Sequence, residues 1–237
     1  MKAFLLAAGL GTRLRPLTNE TPKCLIPING KPLLAYWIEL MVEHGITEVL
    51  INLHHLADKV RVFIENEAPS VKFQLYDETE LLGSGGTLKA NKSFVQDEED
   101  FFILYADNLT NINLTEFLTF HKQKKQPFSM ALNRVEEPHR CGIAELDDNE
   151  IIQAFVEKPE KPVSNLANAG VYIAKPEILD WLPTTKVSDI GYDLLPRLVG
   201  KMAGWETADY LRDIGTFENL KRAEKEVHFL KNQSLTV

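Results

Sequence analysis

Along roughly the first 135 residues, short runs of unbroken apolar residues alternate with stretches in which apolar residues recur every three or four positions. A strand covered on both faces reads as near-continuous hydrophobicity, whereas a helix with one buried face shows the longer period. Ala3–Ala8, Val49–Leu53, Val71–Tyr76, Phe101–Tyr105 and Phe128–Asn133 are therefore predicted strands. Leu33–Glu43, with Trp37, Ile38 and Met41 on one face, is a predicted helix, as are Leu56–Asn66, Gly86–Phe94 and Leu114–Lys124. Strands joined by crossover helices predict an α/β fold whose largely parallel sheet is covered on both faces. Such sheets bind ligands beyond the carboxyl ends of their strands.

From about Gly142 the rhythm changes. Gly142–Leu146, Ile151–Glu157 and Val171–Ala174 read as short strands broken by turn residues such as Asp147-Asp148-Asn149, hence as antiparallel pieces. Val187–Met202 returns to a helical pattern and Tyr210–Ile214 reads as a late strand. Phe217–Lys231 places Leu220, Ala223, Val227 and Leu230 on one helical face, a stripe that suits docking on the body better than a dimer seam. Asn232–Val237 reads as a frayed tail. With no repeat, low-complexity tract or long linker, residues 1–237 are expected to form one domain. Its expected parts are residues 1–135, residues 136–215 with the changed rhythm, and a C-terminal helix and tail (216–237).

The 237 residues suffice for one large α/β domain. With 26 basic and 34 acidic residues the formal net charge is −8, which argues against nucleic acid or an anionic membrane as partner. A polyanionic ligand must then be met by local Arg and Lys and by a divalent cation. No apolar run approaches the ~20 residues of a membrane span, and Met1-Lys2 leads into a strand without the pattern of a secretory leader. Cys24 and Cys141 stand apart, implying neither a disulfide framework nor a zinc site. A cytoplasmic location is expected.

The chemistry concentrates where the first predicted strand breaks. Gly9 and Gly11 allow a sharp turn with backbone N–H groups close to a ligand, and Arg13 and Lys23 bring positive charge nearby. That set suits a polyphosphate, although Gly-x-Gly after a strand can equally be a tight turn. It is not a dinucleotide fingerprint, because Leu14 stands where the third Gly belongs. It is not a P-loop either, because Gly30-Lys31 is flanked by Leu25 and Pro32.

Gly9-Leu10-Gly11-Thr12-Arg13-Leu14-Arg15-Pro16-Leu17-Thr18, followed by Thr21-Pro22-Lys23 and Pro27, resembles the signature of the sugar-1-phosphate nucleotidyltransferases, the nucleotide-sugar pyrophosphorylases. Glu80-Leu81-Leu82-Gly83-Ser84-Gly85-Gly86 is similar to the family's base-binding segment, and Tyr105-Ala106-Asp107 to the segment of one metal-binding Asp. Glu157-Lys158-Pro159 and Asn168-Ala169-Gly170-Val171-Tyr172 resemble its sugar-phosphate and sugar contacts. Arg212-Asp213-Ile214-Gly215-Thr216 resembles the segment of the second metal-binding Asp. These motifs follow the family's order across residues 1 to 225.

The resemblance implies a Rossmann-like three-layer α/β/α fold with a mixed, mostly parallel central sheet. It also implies transfer of a nucleotidyl group to a sugar 1-phosphate, with loss of pyrophosphate and dependence on Mg²⁺. The implied catalytic residues are Arg13, Lys23, Asp107 and Asp213, with Asp107 and Asp213 as metal ligands. The implied nucleotide contacts are Leu6, Ala7, Ala8, Gly9, Gly11, Thr12, Arg13, Glu80, Gly83 and Gly85. Gly142, Glu157, Lys158, Asn168 and Gly170 are the implied sugar-phosphate contacts. Ala106 stands where relatives commonly have Gly, which bears on the geometry at that strand end. The family often appends a β-helix of hexapeptide repeats; this sequence shows none. Many members form dimers or tetramers, so a homo-oligomer is expected.

A carboxylate at Glu80 can accept from guanine N1–H and its exocyclic amine, whereas thymine and uracil flank one N–H with carbonyls that repel it. The Glu-x-Leu-Gly-x-Gly-Gly pattern also resembles guanylyltransferases acting on mannose- or manno-heptose-type phosphates. GTP and such a sugar 1-phosphate are the expected substrates, supplying cell-envelope polysaccharide. The alternatives are a uridylyl- or thymidylyltransferase for glucose or N-acetylmuramic acid 1-phosphate, or a non-catalytic nucleotide-sugar sensor. His54 and His55 follow a strand without a third ligand at metal spacing and are expected to be structural.

Overall fold

A computed structural model describes residues 1–68 and 70–231. The first part of the chain runs β1 (Lys2–Leu6), β2 (Pro27–Ile28), β3 (Lys31–Pro32), α1 (Leu33–Glu43), β4 (Glu48–Leu53), α2 (Ala57–Glu67) and β5 (Lys72–Asp77). Next come α3 (Gly83–Ala90), β6 (Phe101–Tyr105), β7 (Asn108–Thr110), α4 (Leu114–Lys124), β8 (Phe128–Arg134), β9 (Gly142–Leu146) and β10 (Ile152–Glu157). The last elements are β11 (Leu166–Ala174), α5 (Leu195–Leu198), β12 (Met202–Glu206), β13 (Leu211–Asp213) and α6 (Phe217–Glu226). The frayed tail expected at Asn232–Val237 lies outside the described residues.

The chain divides into two compact units. One holds residues 1–4, 82–104 and 113–208; the other holds 5–81, 105–112 and the residues from Asp209 on. In the first, β11 pairs antiparallel with β6, β8 and β9, β10 pairs antiparallel with β9, and β12 runs parallel to β8. Its core is aromatic. Phe4 meets Phe94 and Phe101 edge-on, and Phe117 stacks on Trp205 at 5.1 Å between ring centres. Helix α4 starts where Asn113 accepts from the Glu116 N–H and donates to its carboxylate, a reciprocal cap.

In the second unit β4 and β5 are parallel from Glu48↔Lys72 to Leu53↔Asp77, as expected for strands joined by a crossover helix. Helix α1 turns Leu33, Leu34, Trp37, Ile38, Leu40 and Met41 inward. The β2–β3 hairpin closes through Asn29-Gly30, both at positive φ (49° and 81°), the pair that a two-residue primed turn requires. Leu220, Ala223 and Val227 are buried, so the C-terminal stripe docks on its own unit.

Two expectations need correction. The helix expected over Val187–Met202 is a π-helical turn at Ile190–Leu194 continued by the single turn of α5, which contains Pro196. Gly200 (φ 79°) then ends it, and Met202–Glu206 becomes β12, drawn into the sheet by parallel pairing with β8. The first strand stops at Leu6 rather than Ala8. Ala7 leaves the ladder because its N–H bonds to a side chain instead.

Candidate active site

That side chain is Asn52 on β4. Its Oδ1 accepts from the Ala7 N–H at 2.7 Å, and its Nδ2 donates to Glu78 Oε1 at 2.8 Å. Asn52 and Glu78 are both buried, so a polar pair sits behind the point where β1 opens into the glycine loop. Buried polar groups of this kind must be bonded, and the bonds fix the loop's departure. Leu6 and Ala7 are half-buried and Ala8 is buried. A Cβ at Gly9 would meet no protein atom within 4 Å. Gly11 adopts φ 61°, and a Cβ there would lie 2.7 Å from Thr18 Cγ2, while Thr18 Oγ1 donates to the Gly11 carbonyl at 2.8 Å. Both the dihedral and the space require glycine. The helical turn Thr12–Leu14 that follows buries Leu14 and leaves Arg13 exposed.

The same unit gathers the charges. Antiparallel pairing of β7 with β13 sets Asp213 opposite Asn108, next to Asp107, and the Ile214 N–H bonds the Asp107 carbonyl. Lys23, only 9% exposed, donates to Asp107 Oδ2 at 2.6 Å and to Asp213 Oδ1 at 3.1 Å. Arg13 Nη2 stands 4.0 Å from Asp213 Oδ2. Burial pulls the Lys23 pKa down, but the two carboxylates outweigh burial and hold it above its ordinary value. Lys23 is therefore an ammonium. Its neighbour Cys24 is wholly buried, and burial pushes that thiol up to about 12.

The two carboxylates suit a hard cation. Asp107 and Asp213 present oxygen donors that converge on one charge, and their side chains are 37% and 44% exposed, open to water and phosphate. No group of three or more His, Cys, Asp or Glu placed to hold a metal ion occurs among the described residues. The pair fits Mg²⁺, which commonly binds through one or two carboxylates and completes its shell with substrate phosphates and water.

Gly215 lies outside the implied site residues, yet a Cβ there would lie 2.7 Å from Arg13 Nη2, 2.8 Å from Asp213 Oδ1 and 2.9 Å from Lys23 Nζ. Its N–H donates to Asp213 Oδ1 at 2.7 Å and so aims that carboxylate. His54 Nδ1 bonds the Glu78 carbonyl and His55 Nε2 the Thr18 carbonyl, each at 2.7 Å. Both serve the scaffold. Glu80 is exposed at the end of this unit's segment.

In the other unit Gly83–Gly86 forms the first turn of α3, three residues earlier than the helix expected from sequence. Gly83 adopts φ 74°, and Gly85 is buried against Ser188 and Leu182. Gly142 on β9 has no room for a side chain, since a Cβ would lie 2.5 Å from Glu157 Oε2 and 2.6 Å from the Phe155 ring. Glu157 is mostly buried, and that burial raises its pKa even though Lys158 draws it down. Lys158 has φ 49°, uncommon for a side-chain-bearing residue, and points into solvent with Nζ 3.4 Å from Glu157 Oε1. On β11, Asn168 donates to the Tyr172 hydroxyl at 2.8 Å and accepts from the Gly170 N–H at 2.9 Å. The register with β8 slips between Asn168 and Tyr172, a bulge that includes Gly170 at φ 70°.

A family model described as Nucleotidyl transferase matches residues 2–228. A UTP–glucose-1-phosphate uridylyltransferase of Synechocystis sp. is 35% identical over 214 residues, 84% of this chain and 55% of that protein. The mannose-1-phosphate guanylyltransferase catalytic subunit beta of Drosophila melanogaster is 32% identical over 219 residues, 90% of this chain and 59% of that protein. The chain thus spans a little over half the length of these curated relatives. HddC of Yersinia pseudotuberculosis, known also in complex with GMP-PN, superimposes with a TM-score of 0.82 at 25% identity, covering 95% of this chain and 99% of that one. The mixed sheet with its helices is the Rossmann-like fold of the nucleotide-diphospho-sugar transferases, shared by a solved putative glucose-1-phosphate thymidylyltransferase of Bacillus anthracis and a UDP-glucose pyrophosphorylase.

Proposed function

Because the chain belongs to the nucleotidyl transferase family, we propose that it transfers a nucleotidyl group from a nucleoside triphosphate to a sugar 1-phosphate, releasing pyrophosphate. The observation that carries this reading is the gathering of Arg13, Lys23, Asp107 and Asp213 beside the glycine loop of one unit. The sugar phosphate is already an anion at neutral pH, so the reaction needs no general base. It needs two polyanions held in line, and charge stabilised at the α-phosphorus. Arg13, exposed and planar, grips the β- and γ-phosphates that leave as pyrophosphate, with the Gly11 and Thr12 N–H groups beside it. Lys23 is a point charge for the α-phosphate. Asp107 and Asp213 would hold Mg²⁺, which when bound supplies neutralisation of phosphate charge. Lys158 receives the acceptor's phosphate, and Glu157 and Asn168 its hydroxyl groups.

We assign GTP as nucleotide and a mannose- or manno-heptose-type 1-phosphate as acceptor. Glu80 offers the acceptor pair that guanine N1–H and its amine require. A relative named for mannose-1-phosphate guanylyl transfer and a structural neighbour complexed with GMP-PN support this choice. The relative named for UTP and glucose 1-phosphate supports a second reading, uridylyl transfer to glucose 1-phosphate. The deciding experiment measures pyrophosphate release with each of the four ribonucleoside triphosphates and dTTP against a panel of sugar 1-phosphates in Mg²⁺. GTP with mannose 1-phosphate or a manno-heptose 1-phosphate is expected to give the highest kcat/KM. Release from UTP alone moves the assignment to the second reading, and no release from any pair refutes the catalytic one. Asp107→Asn and Asp213→Asn should each lower turnover by orders of magnitude at limiting Mg²⁺.

A further inference from the structure

Within a single unit, the Gly83–Gly86 turn is joined to the distant segment Ser188–Tyr192 by a dense set of bonds. The Ser188 carbonyl accepts from the Gly85 and Gly86 N–H groups at 3.0 and 3.2 Å, and the Ser188 N–H donates to the Leu82 carbonyl at 3.0 Å. The side chains add a second layer. Ser84 Oγ donates to Asp189 Oδ2 at 2.9 Å and accepts from the Ile190 N–H at 2.8 Å. The other oxygen of Asp189 accepts from the Gly191 and Tyr192 N–H groups at 2.8 and 3.3 Å, capping the π-helical turn. The approach is close enough to exclude side chains: a Cβ on Gly85 would lie 2.8 Å from Ser188 Oγ, and one on Gly86 2.6 Å from the Lys186 carbonyl.

The far side of that turn faces the acceptor carboxylate. A Cβ on Gly191 would lie 2.9 Å from Glu157 Oε2, and the exposed Tyr192 ring stands 6.0 Å from Lys158 Nζ. One short segment thus touches the base-binding turn on one side and the acceptor's Glu157-Lys158 on the other. A π-helical turn is a departure from regular helix that is common at functional sites, and here its conformation is set by the Ser84–Asp189 contact.

We infer that Ser188–Tyr192 is a relay through which nucleotide bound at Gly83–Gly86 organises the acceptor residues Glu157 and Lys158, with Ser84 and Asp189 as its positioning residues. This rests on the function proposed above. A nucleotide that fixes the α3 turn fixes the Ser188 carbonyl and the Asp189 carboxylate, and with them the place of Gly191 against Glu157. The two ligands then favour the same arrangement of the turn, so each tightens the other.

The test uses the triphosphate and sugar 1-phosphate that release pyrophosphate in the panel above, the triphosphate as its unreactive α,β-methylene analogue. Calorimetry gives the Kd of the sugar 1-phosphate with and without saturating analogue, in Mg²⁺. The unaltered protein should bind the sugar phosphate about fivefold or more tightly in the presence of the analogue. In Ser84→Ala that ratio should fall to within about twofold of one, and Ser84→Thr, which keeps the hydroxyl, should restore it. A loss of folding would weaken both ligands together and leave the ratio undefined in Ser84→Ala alone, which the Thr variant then resolves by keeping or losing the coupling. A wild-type ratio in Ser84→Ala, a ratio of one in the unaltered protein, or no recovery in Ser84→Thr overturns the relay while leaving nucleotidyl transfer intact. Absence of turnover with every pair overturns both.

Discussion

Replacing Lys23 by methionine keeps the length of the side chain and removes the charge that Asp107 and Asp213 share. Their nearest oxygens lie 2.6 and 3.1 Å from one ammonium nitrogen, hence within about 6 Å of each other. Two bare carboxylates at that separation repel by about 3 kcal/mol at an effective dielectric near 20, and by about 1 kcal/mol at full aqueous screening. With side chains 37% and 44% exposed, the pair belongs between those limits. For a chain of this length about 1 kcal/mol shifts Tm by roughly 2–4 °C, so Lys23→Met in EDTA should melt several degrees below the parent protein. Mg²⁺ at millimolar concentration should return most of that loss, because the cation takes over the neutralising role. In the parent protein Mg²⁺ must displace a lysine already seated, so its gain is smaller. Differential scanning fluorimetry of both proteins, with and without Mg²⁺ and with Asp107→Asn as control, reads the difference directly. An equal Mg²⁺ gain in parent and Lys23→Met would refute the claim that ammonium and metal serve the same carboxylates.

Other substitutions probe the rest of the framework. Gly215→Ala forces a methyl among Arg13, Lys23 and Asp213 and should lower kcat/KM for pyrophosphate release by about tenfold or more, roughly 1.4 kcal/mol, with little change in Tm; near-parental kcat/KM would contradict it. Asn52→Leu keeps the forked shape and the number of heavy atoms but loses the bonds to Ala7 and Glu78, and should destabilise by about 2–4 kcal/mol in urea unfolding while raising the KM for nucleotide. An unchanged KM would show that the loop does not depend on this anchor. His121, buried on α4 between Ser129 and Asp100, has its pKa lowered by burial despite its hydrogen bond to the Asp100 carboxylate. The unfolded chain then takes up the proton more readily, so this contribution is complete above the unfolded value of ~6.5 and is lost as pH falls below it. Unfolding free energies from pH 7.5 down to 5.5 should drop more steeply for the parent than for His121→Gln, and parallel curves would rule this out.

The elements read correctly from sequence are those whose local pattern agrees with their final setting. Leu33–Glu43, Phe101–Tyr105 and Leu114–Lys124 have the observed bounds because one periodicity runs their whole length without a competing turn signal. Val187–Met202 is helical only over residues 190–198, for the opposite reason. Its spacing of Ile, Leu and Val is helical, but β8 offered Met202–Glu206 a pairing that no local pattern reveals. β7 is three residues long, too short to carry a period. At the candidate site, Arg13, Lys23, Asp107 and Asp213 were legible as candidates because they sit in recognisable motifs, and the structure brings them together in one unit. Asn52, Gly215 and the Ser84–Asp189 contact were not, because their roles arise from partners 26 to 105 residues away or from the volume a side chain would need.

The two cysteines differ in a way that gives this protein a built-in spectroscopic handle. Cys24 is sealed, with its thiol held protonated, so alkylating reagents find little thiolate to attack there. Cys141 is partly exposed, and its carbonyl receives the Lys158 N–H at 3.0 Å. A maleimide dye added to the unmodified chain should therefore settle on Cys141, a residue's breadth from the backbone of Lys158. With Lys158 in its proposed role, the dye's emission would follow sugar-phosphate arrival without any engineered labelling site.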